Sequence, residues 1–404
     1  MSAQPDRLSE LVAKHRAGDY AAAEKGYREH LRELPEDATA LHFLGLLRTQ
    51  QGQCDEGIEL MDAAVRLDPS YVDAWSNLGI AFFKQRDLDR AEKCCRKALE
   101  LAPDFANAWG NLGMALRAKN FYEEALQAWS RALELQPGMR NVAIPYGQLL
   151  YKMNRVAQAR EFYGKWCDAN PSDPIACHML AAMSGGVGPE RASNGYVRST
   201  FDDFADSFDE RLEQLEYRAP KLLHRVATES AQETSGVSLD VLDLGCGTGL
   251  CGPLFRPVAR RMVGVDLSSR MLAKAAVRDC YEQLNFGELT AYLMACRERF
   301  DLVLAADVLC YFGALSAVFK GVRDVLAARG RFIFSVESAN GVGGSAPESG
   351  YMIMPHGRYE HAQPYVQDTL ANAGLHVVTV IQETLRLERG SPVQGLVVVA
   401  TVKP

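Results

Sequence analysis

The 404-residue sequence has no long hydrophobic run, and nothing in it approaches the ~20 apolar residues of a membrane span. Its first residues, "MSAQPDRLSELVAKH", contain neither an apolar signal core nor a small-residue cleavage site. The expected compartment is therefore the cytoplasm, with no membrane partner. Basic stretches are missing too. Lys and Arg number 22 against 25 Asp and Glu in residues 1–183, and 22 against 26 in the remainder. So even a spread, at a formal charge of −7, removes the electrostatic support that a nucleic-acid partner demands. Among the ten cysteines there is no Cys-x-x-Cys pair, and no His/Cys cluster has zinc spacing. No metal is expected, and the thiols read as reduced. Vicinal Cys94 and Cys95 read as packing or surface thiols in a helix.

What is present first is a repeat. Prolines fall at Pro35, Pro69, Pro103, Pro137 and Pro171, each 34 residues after the last. Ten residues after each come Gly45, Gly79, Gly113, Gly147 and Ala181. Small residues in register mark where paired helices cross closely, and proline marks where a unit ends. That period is a helical solenoid's. The stretches "DAWSNLGIAFFKQRDLDRAEKCCRKALELAP" and "NAWGNLGMALRAKNFYEEALQAWSRALELQP" resemble tetratricopeptide repeats. About five such units cover residues 5–170, with a capping helix near 173–183. The first unit is degenerate, and Pro145 is expected to kink or shorten a helix of the fifth. Stacked units leave a concave groove, which implies a protein or peptide ligand. Dimerisation or spacing is the alternative use, and the oligomeric state stays open.

The stretch "SGGVGPERASNG" (184–195) lacks apolar periodicity and reads as a linker. After it, Phe201, Phe204, Phe208, Leu212 and Leu215 recur at helical spacing as one apolar stripe. The acidic face opposite reads as solvated. From residue 239, strand-like runs alternate with helical patterns: "LDVLDL", "RMVGVDL", "QLNF", "FDLVLAAD" and "GRFIFSVE". This cadence implies a parallel sheet covered on both faces. The last two runs, "LHVVTVIQETLRLE" and "VQGLVVVATV", have only "RGSP" between them and imply a terminal antiparallel hairpin.

A nucleotide site is the natural reading of "VLDLGCGTGL" (241–250), with Gly245, Gly247 and Gly249 followed by Asp266 nineteen residues after Gly247. The glycines and Asp266 suit a dinucleotide or S-adenosylmethionine (SAM) alike. Asp243 separates the two, because a carboxylate ending the first strand suits a cationic ligand end such as the methionine ammonium. The helical segment 217–230 and the terminal hairpin point the same way.

Residues 241–249, 263–268 and 303–311 resemble, in order, the first, second and fourth motifs of class I SAM-dependent methyltransferases. The whole chain resembles bacterial methyltransferases fused to tetratricopeptide repeats, most closely through "FDDFADSFDERL", "FDLVLAADVLCYFG" and "GRYEH". The fold this implies is multidomain. An all-α repeat solenoid (1–183) and a linker (184–195) lead into an α/β Rossmann-like domain (196–404). That domain has a seven-stranded sheet, with cap helices over 196–235 and a catalytic core over 239–404. Carried over, the resemblance places Gly245, Gly247 and Gly249 beneath the methionine and ribose. It sets Asp243 at the amino group, Asp266 at the ribose diol, and Leu267 and Met271 beside the adenine. Glu288, with Leu289, stands where the family commonly has an Asp near the adenine amino group. Asp307 would lie between cofactor and acceptor, and Tyr196 and Phe201 would lead the helix that closes over the cofactor.

Methyl transfer from a sulfonium is an in-line displacement, so alignment and exclusion of water are the main tasks. Tyr311 lies near the expected pocket and is a catalytic candidate. The segment 340–361 reads as a mobile acceptor wall, offering Arg358 and Tyr359 for binding and His361 as general base. Cys246, Cys251 and Cys310 read as small residues fitting tight turns. The expected activity is SAM-dependent methyl transfer, yielding S-adenosylhomocysteine (SAH), with a protein, peptide or carrier-bound substrate recruited by the repeats. Alternatives are a small-molecule O-, N- or C-methyltransferase whose repeats mediate assembly, and a non-catalytic nucleotide-binding scaffold.

Overall fold

The computed structural model describes residues 7–229, 238–339, 348–388 and 390–402. The chain divides into two compact units, Met1–Arg155 and Val156–Pro404. Helices α1 (Arg7–Arg16), α2 (Tyr20–Glu33), α3 (Ala38–Gln50), α4 (Cys54–Leu67), α5 (Val72–Lys84), α6 (Leu88–Leu101), α7 (Ala106–Ala118), α8 (Tyr122–Leu135) and α9 (Arg140–Lys152) make up the first. The 34-residue step survives as repeated local chemistry. Asp19 and Asp87, two periods apart, accept backbone N–H bonds at the starts of α2 and α6, as Asp37 does at the start of α3. Trp75 and Trp109, one period apart, each donate Nε1–H to the carbonyl of the proline six residues earlier. The small residues sit at helix crossings: a Cβ on Gly113 would lie 2.4 Å from Trp129, and one on Gly79 would lie 2.8 Å from Cys95 Sγ. Cys94 and Cys95 are both buried packing thiols, and burial pushes each up to about 12. Pro145 does not shorten its helix, since α9 keeps the thirteen residues of α3, α5 and α7.

The second unit opens with α10 (Val156–Ala169) and α11 (Pro174–Ser184), so the division falls inside the fifth repeat. Residues 189–193 are not a free linker. Gly313 and Ala314 donate N–H bonds to Glu190 O, and Ala192 N–H donates to Tyr311 O, each at 2.8 Å. Next come α12 (Asn194–Phe204), a 3-10 turn over Ala205–Ser207, α13 (Phe208–Gln214) and α14 (Ala219–Glu229). The aromatic stripe thus spans two helices with a break, not one.

The remaining elements are β1 (Leu239–Leu244), α15 (Gly252–Phe255), β2 (Ala259–Asp266), α16 (Ser269–Val277), β3 (Gln283–Phe286), α17 (Leu289–Ala295), β4 (Phe300–Ala305), α18 (Ser316–Val325), β5 (Leu326–Ser338), β6 (Tyr351–Ile353), β7 (Tyr359–His361), α19 (Gln363–Asn372), β8 (Leu375–Glu388) and β9 (Ser391–Val402). Seven strands follow the order β3-β2-β1-β4-β5-β9-β8, the first five parallel and β9 antiparallel to both neighbours. This is the expected sheet with its terminal hairpin. Two short strands were not expected: β7 pairs with the last residues of β5, and β6 pairs with β7.

Strand side chains alternate between faces, so each sheet face carries its own core. On one side Leu242, Val263, Val303 and Phe334 pack with Leu293, Phe319, Val322 and Leu370 from α17, α18 and α19. On the other, Val241, Met262, Leu302 and Val397 pack with Leu222, Leu223 and Val226 from α14. Strands buried on both faces have one free end for polar chemistry. In this topology it is the carboxyl end, where β1 and β4 lie side by side at the switch in strand order.

Candidate functional site

Asp243 comes near the carboxyl end of β1 and is 1% exposed, where a carboxylate needs a partner. Its Oδ2 accepts from the Tyr281 hydroxyl at 2.7 Å. Burial pushes its pKa up to about 7, against the Tyr281 hydrogen bond and with Asp266 adding to the rise. After it the chain turns through Gly245, Gly247 and Gly249, all at positive φ. The three are not equivalent. A Cβ on Gly245 would lie 2.3 Å from Val308 Cγ2, and one on Gly249 would lie 3.0 Å from Tyr281. Those two make room for the protein's own side chains. Only above Gly247 is there space, with Phe208 nearest at 3.9 Å.

Asp266, at the end of β2, ties this turn to the next. Its Oδ2 accepts from Gly247 N at 2.9 Å and its Oδ1 from Ser268 N at 2.8 Å. Ser268 caps α16 by accepting from the N–H of buried Met271, and Leu267 just before it is half-buried. Glu288 caps α17: Oε1 accepts from Thr290 N and Oε2 from Ala291 N, with Leu289 buried behind it. Both its carboxylate oxygens thus have a structural duty.

The acidic face of α12–α13 is not merely solvated. Asp209 accepts from Thr248 Oγ1 at 2.6 Å and from Arg278, whose Nε also donates to Thr248 O. Asp202 accepts from Ser268 Oγ, and Asp206 accepts from Arg270. These carboxylates fasten the helices onto the two loops that Asp266 joins. Phe201 then meets Tyr311 edge to face at 5.5 Å, and Tyr196 lies 6.5 Å from Tyr311. Burial pushes the Tyr311 hydroxyl well above its ordinary range, so it stays protonated.

Asp307, two residues past β4, has a left-handed backbone (φ 55°) and receives Arg386 Nη1–H on Oδ2 at 2.7 Å. Arg386, 3% exposed on β8, also bonds Glu337 and Glu388. Arg358 bonds the same two carboxylates, reaching Glu337 Oε1 at 2.6 Å. Burial works against Glu337 and Glu388, yet the two guanidinium groups hold both below the ordinary range, Glu388 at about 2. Asp307 goes the other way, because burial outweighs the Arg386 charge. Two oxygens in this cluster, Asp307 Oδ1 and Glu337 Oε2, are buried with no hydrogen-bond partner. Glu337 also groups with His356 and Glu360, and with Asp307 and Cys310, at spacings that would suit a metal ion. Spacing along the chain gave no sign of either grouping.

His361 and Tyr359 do not join the cluster. Alternation along β7 sends both rings to one face, while Glu360 takes the other. His361 is 0% exposed, its Nε2–H donating to Gly313 O at 3.2 Å, and burial drops it to about 4. Tyr359, also 0% exposed, donates its hydroxyl to Pro189 O at 2.8 Å. Both rings are thus packed away from the carboxylate cluster, and His361 Nδ1 is buried with no hydrogen-bond partner. Part of the expected acceptor wall, 340–347, lies outside the described residues.

Sequence reasoning missed Arg386, Glu337, Glu388, Tyr281 and Asp209. A signal existed for three of them: Glu337, Arg386 and Glu388 interrupt apolar strands as Asp243 does. The first unit has a separate cavity of about 490 Å³, lined by His15, Tyr20, His42, Phe43, Tyr71 and Asn77.

Residues 211–379 match the family model described as a methyltransferase domain. The second unit carries a methyltransferase domain. Residues 45–86, 72–105 and 106–139 match models of the tetratricopeptide repeat, so repeats precede that domain in the chain. A ubiquinone biosynthesis O-methyltransferase of Rhodopseudomonas palustris (strain BisA53) is 34% identical over 112 residues, which is 26% of this chain and 40% of that protein. A second, from Bradyrhizobium diazoefficiens, is 32% identical over 25% of this chain and 41% of its own length. The chain therefore spans about two fifths of these curated relatives. Among solved structures, magnesium protoporphyrin IX methyltransferase from Synechocystis PCC 6803 with bound SAH is similar at 16% identity. It has a TM-score of 0.41 and covers 52% of this chain and 100% of its own. A thermophilic tetratricopeptide-repeat protein of Thermus thermophilus is 21% identical, with a TM-score of 0.39 over 45% of this chain and 99% of its own. Among the described residues, no helix of the methyltransferase unit or of the repeats is long and apolar enough to cross a membrane.

Proposed function

We propose that the chain is an SAM-dependent methyltransferase acting on a hydroxyl acceptor, which its repeats recruit on a protein, peptide or carrier. The observation that carries the acceptor class is the pair of buried carboxylate oxygens, Asp307 Oδ1 and Glu337 Oε2, that lack a hydrogen-bond partner, His356 Nε2 standing off the second at 3.8 Å. Such atoms are costly to leave unpaired, and a ligand that donates hydrogen bonds satisfies them. Asp307 also sits beside the glycine turn, since its neighbour Val308 packs on Gly245.

The residues present fit SAM. The open face of Gly247 would admit the cofactor, and the buried Asp243 carboxylate would meet its ammonium. The remaining lone pairs of Asp266 would accept from the ribose hydroxyls. When bound, SAM supplies a methyl group on a sulfonium. The chain's part is to hold the acceptor oxygen in line, exclude water beneath Tyr196, Phe201 and Tyr311, and receive the hydroxyl proton on Asp307 Oδ1. Arg386 would keep Asp307 aimed. Glu288 could reach the adenine only with its capping bonds retained or exchanged.

The test is calorimetry with SAH, followed by labelled methyl transfer into polyhydroxylated acceptors by wild type and Asp307→Asn. Tight SAH binding with transfer lost in Asp307→Asn supports the reading. Equal transfer by both proteins overturns the role of Asp307. The second reading, a small-molecule O-methyltransferase whose repeats serve assembly, is favoured by the printed activity of the ubiquinone-pathway relatives.

A further inference from the structure

Three elements meet at one point in the second unit. His178 on α11 is 5% exposed, and its ring lies face to face on Tyr196 of α12, with centroids 3.8 Å apart and planes at 27°. Its Nε2 is 2.8 Å from Gly357 O, in the turn before β7. A carbonyl only accepts, so Nε2 carries the hydrogen, and burial lowers the ring's pKa and keeps it neutral. Gly357 has a positive φ (88°), and a Cβ there would lie 2.7 Å from Tyr196 Oη and 3.2 Å from Met179 Sδ. Only glycine lets the turn approach both. The next residue is Arg358, whose side chain bonds Glu337 and Glu388 in the acceptor-side cluster. Turn geometry therefore sets where the Arg358 backbone leaves for the cluster. Met354 N–H donates to Arg358 O and Gly357 N–H to Met354 O, so the turn is closed on itself and His178 is its tie to α11.

We propose that His178 is a positioning residue of the methyltransferase site, holding two of its walls from outside the methyltransferase fold. Through the stack it sets Tyr196 on the helix expected to close over the cofactor. Through the hydrogen bond it sets the Gly357–Arg358 turn at the acceptor end. The helix that closes the run of repeats along the chain is thus a working part of the site. The role given to Tyr196 rests on the cofactor reading above.

The two duties separate by substitution in the full-length protein. His178→Phe keeps a stacking ring and loses the donor, whereas His178→Gln keeps a donor and loses the ring. The readouts are SAH affinity by calorimetry and amide hydrogen exchange over 194–204 and 354–358. His178→Gln is expected to weaken SAH about tenfold, the scale of one lost aromatic stack, and to speed exchange in 194–204. His178→Phe is expected to bind SAH within about twofold of wild type and to speed exchange in 354–358. Identical behaviour of the two variants, whether both like wild type or both uniformly loosened, overturns the proposal. If wild type itself fails to bind SAH, the cofactor reading fails, and the exchange pattern alone decides the positioning role.

Discussion

Arg386 on β8 donates to Asp307 at 2.7 Å, joining the last hairpin of the chain to the end of the fourth strand. The pair is buried, at 3% and 14% side-chain exposure, and shares Arg386 with Glu337. Removing one member of such a network leaves the others as uncompensated buried charge, which costs about 3–5 kcal/mol. Arg386→Met is therefore expected to destabilise the second unit on that scale in urea unfolding. Adding Glu337→Gln should recover part of the loss, since it removes one stranded charge. A double variant no more stable than Arg386→Met would mean the coupling is absent.

Asp243 makes stability and ligand binding depend on pH in opposite senses. Its ligand-free pKa is raised from 3.8 to about 7, so the folded protein holds an extra proton between those values. Stability contributed by this group is therefore full below pH 3.8 and declines as pH rises towards 7. Asp243→Asn removes that slope, so its unfolding free energy should gain on wild type between about pH 5 and pH 8. SAH affinity of wild type should strengthen over the same interval as the carboxylate ionises, while that of Asp243→Asn stays flat and weaker. Parallel stability curves for the two proteins would show that Asp243 is not held at this raised value.

The clamp on the glycine loop is separable from the loop itself. Asp209 accepts from Thr248 and Arg278, so Asp209→Ala frees one end of that tie without touching Gly247. We expect SAH affinity to fall about tenfold, consistent with two lost charge-assisted bonds at a partly exposed site. The thermal midpoint should move by no more than a few degrees. An unchanged affinity would leave the acidic face of α13 as a surface feature.

His361 is buried and bonded to Gly313 O, so His361→Gln, which keeps a donor for Gly313, should leave the pH profile of turnover unchanged. His361→Ala should instead lower stability by about 2–4 kcal/mol, as truncation of a buried ring does. A pH profile that loses a limb in His361→Gln would restore it as a base.

How far the sequence reached can be read from these same residues. The repeat period, the strands and Asp243 were legible because each depends on local patterning: proline spacing, apolar runs, and one carboxylate where a strand should be apolar. For His361 residue type suggests reactivity, whereas which face of β7 it takes depends on strand pairing with β5. Arg386 and Glu337 lie 49 residues apart, and only sheet order brings them together. The acidic stripe of α12–α13 looked solvated because its partners come from far along the chain, Thr248 from the glycine turn and Ser268, Arg270 and Arg278 from α16 and its ends.

The most direct measurement is transfer of a labelled methyl group from SAM into size-fractionated cell extract. Wild type would be compared with Asp243→Asn and with Asn77→Ala, a change in the lining of the first unit's cavity. Label is expected in a macromolecular fraction with wild type, none with Asp243→Asn, and a marked loss with Asn77→Ala. Label confined to small molecules, at the same rate with and without Asn77, would contradict recruitment by the repeats.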